Sequence, residues 1–191
     1  MSTDTTALGD LAPAERYRHL AERFTAVVDA VPDDRWASPS PCEEWTARDV
    51  LGHVVQSQRG YAEGAGEELP AGPDVATDPV GSWRATRDAV QALLDDPDRA
   101  GRVVEGRMGS STIEATMGRF HCVDLVVHGW DLARATGGDD QVPSEELAWV
   151  REQVEGLSDM ARQPQAFGPE REAPEGADET ARTMAFLGRQ V

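Results

Sequence analysis

The chain contains no lysine. All 18 of its basic residues are arginine, which excludes Schiff-base chemistry on a lysine side chain. Against them stand 35 acidic residues, for a formal charge of −17. So acidic a chain lacks the basic footprint that phosphate backbones and anionic membrane surfaces require. No stretch approaches the roughly 18 apolar residues of a membrane span. The start, MSTDTTALGD, has neither the basic residues nor the apolar run of a secretory leader. Only two cysteines occur, Cys42 and Cys122, with no zinc-finger spacing and no disulfide framework. These absences predict a reduced, cytoplasmic protein that binds neither nucleic acid nor membrane. Isoleucine occurs once, at Ile113, a bias that suits a GC-rich genome.

What is present suffices for a folded domain. Apolar residues make up 39% of 191, and five are tryptophan, so the acidity is not that of a disordered chain. Residues 1–9 read as a flexible tail and 10–191 as a single domain. Asp10 can cap a helix from about Ala12 to Val31, with Leu20, Phe24, Val27 and Val28 on its apolar face. A loop rich in Pro and Ser follows. Thr46, with Asp49 three residues on, is a capping-box variant that opens a second helix. After a long Gly- and Pro-rich loop at 64–77, a third helix fits Pro79 to Leu94. Residues 95–101 read as a turn and 102–108 as a short strand or extended connector. The next helix starts near Ser111 or Thr112 and runs to Thr136, stopped by Gly137. Ser144 is placed as the cap of a fifth helix reaching about Met160, and a short helix closes the chain. The pattern predicts a mainly all-α fold, a helical bundle with short appendages.

The most informative stretch is FHCVDLVVHGWDLARATG. On an ideal helix His121, Asp124 and His128 fall within an arc of roughly 60°. Valine, leucine and tryptophan cover most of the remaining circumference, so this helix should be buried. Buried ionisable groups are costly unless paired or bound to a metal. Asp124 and His128, four residues apart, can share one metal ion. A third ligand must come from elsewhere, and His53, on the apolar second helix, is the best candidate. His19 lies among charged neighbours and reads as a surface residue. Two imidazoles and one carboxylate leave coordination positions open, the arrangement of a catalytic zinc site, and they also suit iron or nickel. His121 lies about 10.5 Å of helix rise before His128, too far to be a ligand beside it. It is instead a candidate acid/base group, supporting donor or substrate contact. Trp36 and Trp45 could wall the mouth of the site or simply pack.

Three segments resemble a known family. SPCEEWTARDVLGHVV (40–55) is similar to the TPC-x-GWT-x-R-DLLAHV start of the second helix in the DinB-like metal-binding superfamily. FHCVDLVVHGWDLARATG resembles the metal helix of its actinobacterial branch, related to the N-terminal domain of mycothiol-dependent maleylpyruvate isomerase. MAFLGRQV resembles that branch's LAFLGR-x-P tail, with Gln190 and Val191 departing from it. The resemblance implies an up-down-down-up four-helix bundle with one metal, usually zinc, held by His53, Asp124 and His128. The isomerase has Glu where this chain has the shorter Asp124. The resemblance also implies thiol chemistry, with mycothiol as co-substrate for a transferase or isomerase acting on a small electrophile. The chain ends where the bundle ends, so the expectation is the metal domain alone, as monomer or homodimer. Two other readings stay open: a non-enzymatic metal or small-molecule binding or resistance protein, and a metal-hydroxide hydrolase or lyase.

Overall fold

A computed structural model describes residues 6–106, 109–157 and 167–191. Its first element is a 3₁₀ turn, Leu8–Asp10, with Leu8 buried although it stands in the stretch expected as a tail. Asp10 therefore does not cap the first helix. α1 spans Pro13–Asp29, and its N-cap, Ala12, makes no side-chain bond. Pro13 suits the first turn because it has no N–H to leave unpaired. Arg16 ties this end down by donating to the carbonyls of Leu8, Gly9, Leu11 and Gly118 at 2.8–2.9 Å. Tyr17, Leu20, Ala21, Phe24 and Val28 form the buried face at helical spacing.

α2 spans Ala47–Gly64 and opens with the predicted capping box, in which Thr46 and Asp49 each satisfy the other's backbone N–H. The loop after it is fastened by Arg48, whose guanidinium bonds the carbonyls of Val75 and Ala76. α3, Pro79–Leu94, starts on the Asp78 cap. The stretch read as a turn contains a four-residue helix, α4, Pro97–Ala100. β1, Val103–Gly106, pairs antiparallel with β2, Gly109–Thr112, so the extended segment has a partner the sequence reading had assigned to a helix start.

Thr112 then caps α5, Ile113–Thr116. A π-helical turn, Met117–His121, leads without a break into α6, Cys122–Thr136, which ends at Gly137 in the left-handed conformation. The widened turn is a local feature that helical periodicity cannot announce. Gly118 lies within it, where a Cβ would come to 2.6 Å of Pro13. α7 spans Ser144–Glu155 with Pro143 as N-cap. Ser144 is thus inside the helix, and its hydroxyl donates to Glu179 rather than capping. The predicted extension toward Met160 lies outside the described residues. α8 spans Glu179–Phe186.

α1 packs on α3 and α6, and α2 packs on the same two helices, giving a four-helix core. α7 leans on α6 and carries α8. Phe24 and Trp83 meet edge to face, 4.7 Å between ring centroids, at the α1–α3 contact. Trp83 donates its indole N–H to Thr25 at 2.8 Å, as a buried tryptophan needs to. α6 is buried on nearly all sides, as its composition predicts. Among the described residues no helix is long and apolar enough to cross a membrane.

Candidate metal centre and cavity

His53 on α2 and His128 on α6 come together where those helices pack, their rings edge to face with centroids 4.9 Å apart. The loop before α2 closes over them. A bridge between Pro39 and Thr46 narrows that loop, and Trp36 anchors it in the core. Glu44 takes a positive φ of 68°, and next to it Trp45 lies against His53 at 5.0 Å and His128 at 6.2 Å. Trp45 therefore walls the site, while Trp36 packs.

The three residues expected to share a metal, His53, Asp124 and His128, line one cavity of about 770 Å³. That volume suits a small organic molecule. Its walls mix apolar groups, including Phe120, Val123 and Phe167, with Arg119, Arg171, Arg189 and Gln153. Burial lowers the pKa of His53 and the neighbouring His128 ring lowers it further, with Asp124 opposing. The His53 ring is therefore held neutral, as a metal ligand must be.

Behind His128 lies a buried polar chain that sequence reasoning did not foresee. His128 Nδ1 is 2.9 Å from Asp131 Oδ2. Asp131 is fully buried and receives Arg189 through three contacts of 3.0–3.2 Å. Burial alone would raise the Asp131 carboxyl, but Arg189 and His128 overcome it and hold it down at about 2. Cys42 donates its thiol to the same carboxylate at 3.2 Å. Burial, then the Asp131 charge, pushes the Cys42 thiol up to about 12, so it stays protonated. Cys42, His128 and Asp131 thus offer three donor atoms within 4.8 Å of one another, a candidate metal-binding triad. His53 and Asp124 face the same cavity as His128 but stand outside that tighter group.

His121 is placed elsewhere. It is buried, its ring 5.4 Å from Tyr61, and it is not among the residues lining the cavity. Burial lowers its pKa, with Asp124 opposing, and its Nδ1 has no hydrogen-bond partner among the described residues. His19 is exposed and 3.8 Å from Glu146.

Residues 17–79 match the family described as the mycothiol maleylpyruvate isomerase N-terminal domain. Over that stretch, about a third of its length, the chain is similar to that family. The matched part contains His53; Asp124, His128 and Asp131 lie beyond it. An uncharacterized protein of Mycobacterium tuberculosis strain H37Rv is 28% identical over 94% of this chain and 98% of its own length. A second uncharacterized protein of that strain is 32% identical, over 63% of this chain and 54% of its own. A crystal structure of a mutant mycothiol-dependent maleylpyruvate isomerase covers 78% of this chain and 72% of that one, at 18% identity and a TM-score of 0.46.

Proposed function

We propose that the protein binds one divalent metal through His53, Asp124 and His128 and acts as a thiol-dependent transferase or isomerase on a small electrophile. The observation that carries the reading is the meeting of His53 and His128, from separate helices, beside Asp124 at a cavity large enough for two small reactants. The donor set fits such an ion: two imidazoles, His53 held neutral by burial, and a carboxylate. When bound, zinc, or iron or nickel in its place, would supply acidity to the sulfur of a low-molecular-weight thiol, mycothiol by family analogy. Asp131 accepts from His128 Nδ1 and so directs Nε2 as the free ligand nitrogen, the usual carboxylate–histidine support of a metal site. Arg189 keeps Asp131 ionised for that task. Trp45 lies against both imidazole rings and Phe120 lines the same cavity.

The Cys42, His128 and Asp131 grouping supports a second ligand set, because its donors already lie close together. Two arguments favour the first set. Both Asp131 oxygens are engaged by Arg189, and an ion placed there would sit against a guanidinium. Cys42 is also held as the neutral thiol. Cobalt substitution separates the two. With His53, Asp124 and His128 as ligands, the cobalt protein lacks a thiolate charge-transfer band until mycothiol is added. A band present without added thiol and abolished in Cys42→Ser assigns the other set. Failure of His128→Ala to lower metal content by elemental analysis contradicts both. Absence of any spectral change with mycothiol contradicts thiol ligation.

A further inference from the structure

We infer that the ion pair between Glu43 and Arg171 is a gate across the mouth of the cavity, which sets how fast a small molecule enters and leaves but not how tightly it is held. What passes it is the small reactant of the functional reading above; the gating itself needs no metal.

Most of the described residues that line the cavity are buried or half-buried, and the buried ones, among them Val123, His128 and Arg189, make its floor. Three are exposed: Glu43, Pro169 and Arg171. An exposed residue on a cavity wall stands at its rim, so the opening lies between the loop before α2 and the segment before α8. The two lips meet through residues 128 apart in sequence. Each lip is fastened from behind. On one side the Cys42 thiol donates to buried Asp131 at 3.2 Å, and Trp45 lies against the His53 ring. On the other, the Arg171 backbone N–H donates to the Ala185 carbonyl and its Nε to the Gly188 carbonyl, both at 2.9 Å. Across the gap, Arg171 Nη2 donates to Glu43 Oε1 at 3.2 Å. Among the described residues this is the one hydrogen bond or ion pair that joins residues 41–45 to residues 167–171.

Fixed lips and a single exposed link are what a gate requires. The Glu43 side chain is 82% exposed and has no other hydrogen-bond or ion-pair partner among the described residues, so it can swing away without disturbing the backbone. Arg171 keeps its Nε bond to Gly188 when Nη2 lets go. An exposed pair of this kind favours the joined state by no more than about fivefold, and salt weakens it. The closed state therefore dominates without locking. With the pair broken, the way is free to Asp124 and the two imidazoles. The pair closes equally over the empty and the filled cavity, so entry and exit both scale with the open fraction while affinity is set by the walls below.

The test uses 1-aminoanthracene, a neutral fluorophore that brightens in apolar surroundings, mixed in stopped flow with the full-length, metal-free protein. NMR contacts between the probe and the His53 ring place it in the cavity. Glu43→Gln and Arg171→Gln should each raise the association and dissociation rate constants by about three- to fivefold and leave their ratio, the Kd, unchanged. The double variant should gain nothing over either single one, because one link is removed in all three. Glu44→Gln, a neighbouring exposed charge that does not line the cavity, should change neither rate. In the unsubstituted protein both rates should rise from low salt to about 1 M, and in the two variants they should not. Unchanged rates in folded Glu43→Gln overturn the gate, as does a change confined to dissociation, which would make the pair a ligand contact. A probe that never reaches the His53 ring also overturns it, since a rim with nothing to admit is no gate. Zinc uptake is measured on the same preparations: its failure alongside the expected rate changes refutes the metal reading and supports the gate.

Discussion

Asp131→Asn is the most discriminating single change, because one buried carboxylate serves three partners. The substitution keeps the shape and removes the charge. Arg189 then remains with a side chain 10% exposed and no counterion. Breaking a buried pair in this way costs about 3–5 kcal/mol, more than the pair contributes as a pair, because an unmatched charge stays behind. The linkage figure is smaller. A carboxyl shifted from 3.8 to about 2 represents about 2 kcal/mol of native-state preference for the ionised form. Both changes leave the guanidinium without an anionic partner: protonation does so only at low pH, the variant at every pH. Urea denaturation of metal-free protein at neutral pH should therefore show a loss of about 3 kcal/mol or more. The native pKa is depressed, so the wild-type advantage is complete above about 4 and disappears as pH falls toward about 2. Adding Arg189→Met to Asp131→Asn should recover much of the loss, since it removes the stranded charge. Metal affinity should fall about 10- to 100-fold in Asp131→Asn and stay low in the double variant, because the support of His128 is gone in both. Stability within about 0.5 kcal/mol of wild type in Asp131→Asn would refute the argument that this carboxylate holds a buried cation.

Other sites make independent demands. Gly188 has φ of 79°, and a Cβ there would come to 2.2 Å of the Phe167 carbonyl oxygen, so Gly188→Ala should cost about 2 kcal/mol or more in thermal denaturation. Unchanged melting would show that the tail is not packed as described. Glu44 is exposed and holds a positive φ where the resembled sequence pattern has glycine. Glu44→Gly should stabilise by about 0.5 kcal/mol, the left-handed penalty of about 1–2 exceeding the chain-entropy loss of about 0.4–1; destabilisation would mean that Glu44 makes a contact worth more than its strain. Alkylation of Cys42 by iodoacetamide in the native protein should be roughly a thousandfold slower than for a cysteine with an ordinary pKa, since its thiol is pushed up to about 12. Mass spectrometry of native and urea-unfolded samples measures this, and equal rates would exclude the bond to Asp131.

Much of the helical core was legible because its signals are local. The Thr46 and Asp49 box, the Pro79 start and the Gly137 stop each act within one turn of helix, and the structure has all three. What could not be read depends on partners distant in sequence or on subtle changes of pitch. Asp10 is drawn into a 3₁₀ turn and Arg16 takes over the end of α1, an exchange settled by Gly118 over a hundred residues away. The π turn left no mark in the hydrophobic pattern. Within it, Arg119 and Phe120 line the cavity while His121, grouped with the ligand stripe on the ideal helix, meets Tyr61 instead.

The same distinction explains which part of the site stayed hidden. His53, Asp124 and His128 are conspicuous because each is a polar group on an apolar helix. Asp131 follows His128 by three residues and was visible, yet its role depends on Arg189, 58 residues further along. That arginine reaches it only because Leu187 is buried and Gly188 turns the chain where no side chain fits, against the backbone of Phe167 and Pro169. In sequence the AFLGR segment therefore looks like the fading end of a helix. In the fold it delivers the counterion that keeps Asp131 charged, and Asp131 fixes the ring of His128. The C-terminal segment is in this way part of the candidate centre's electrostatics, and shortening the chain before Arg189 should disturb the site as well as the packing.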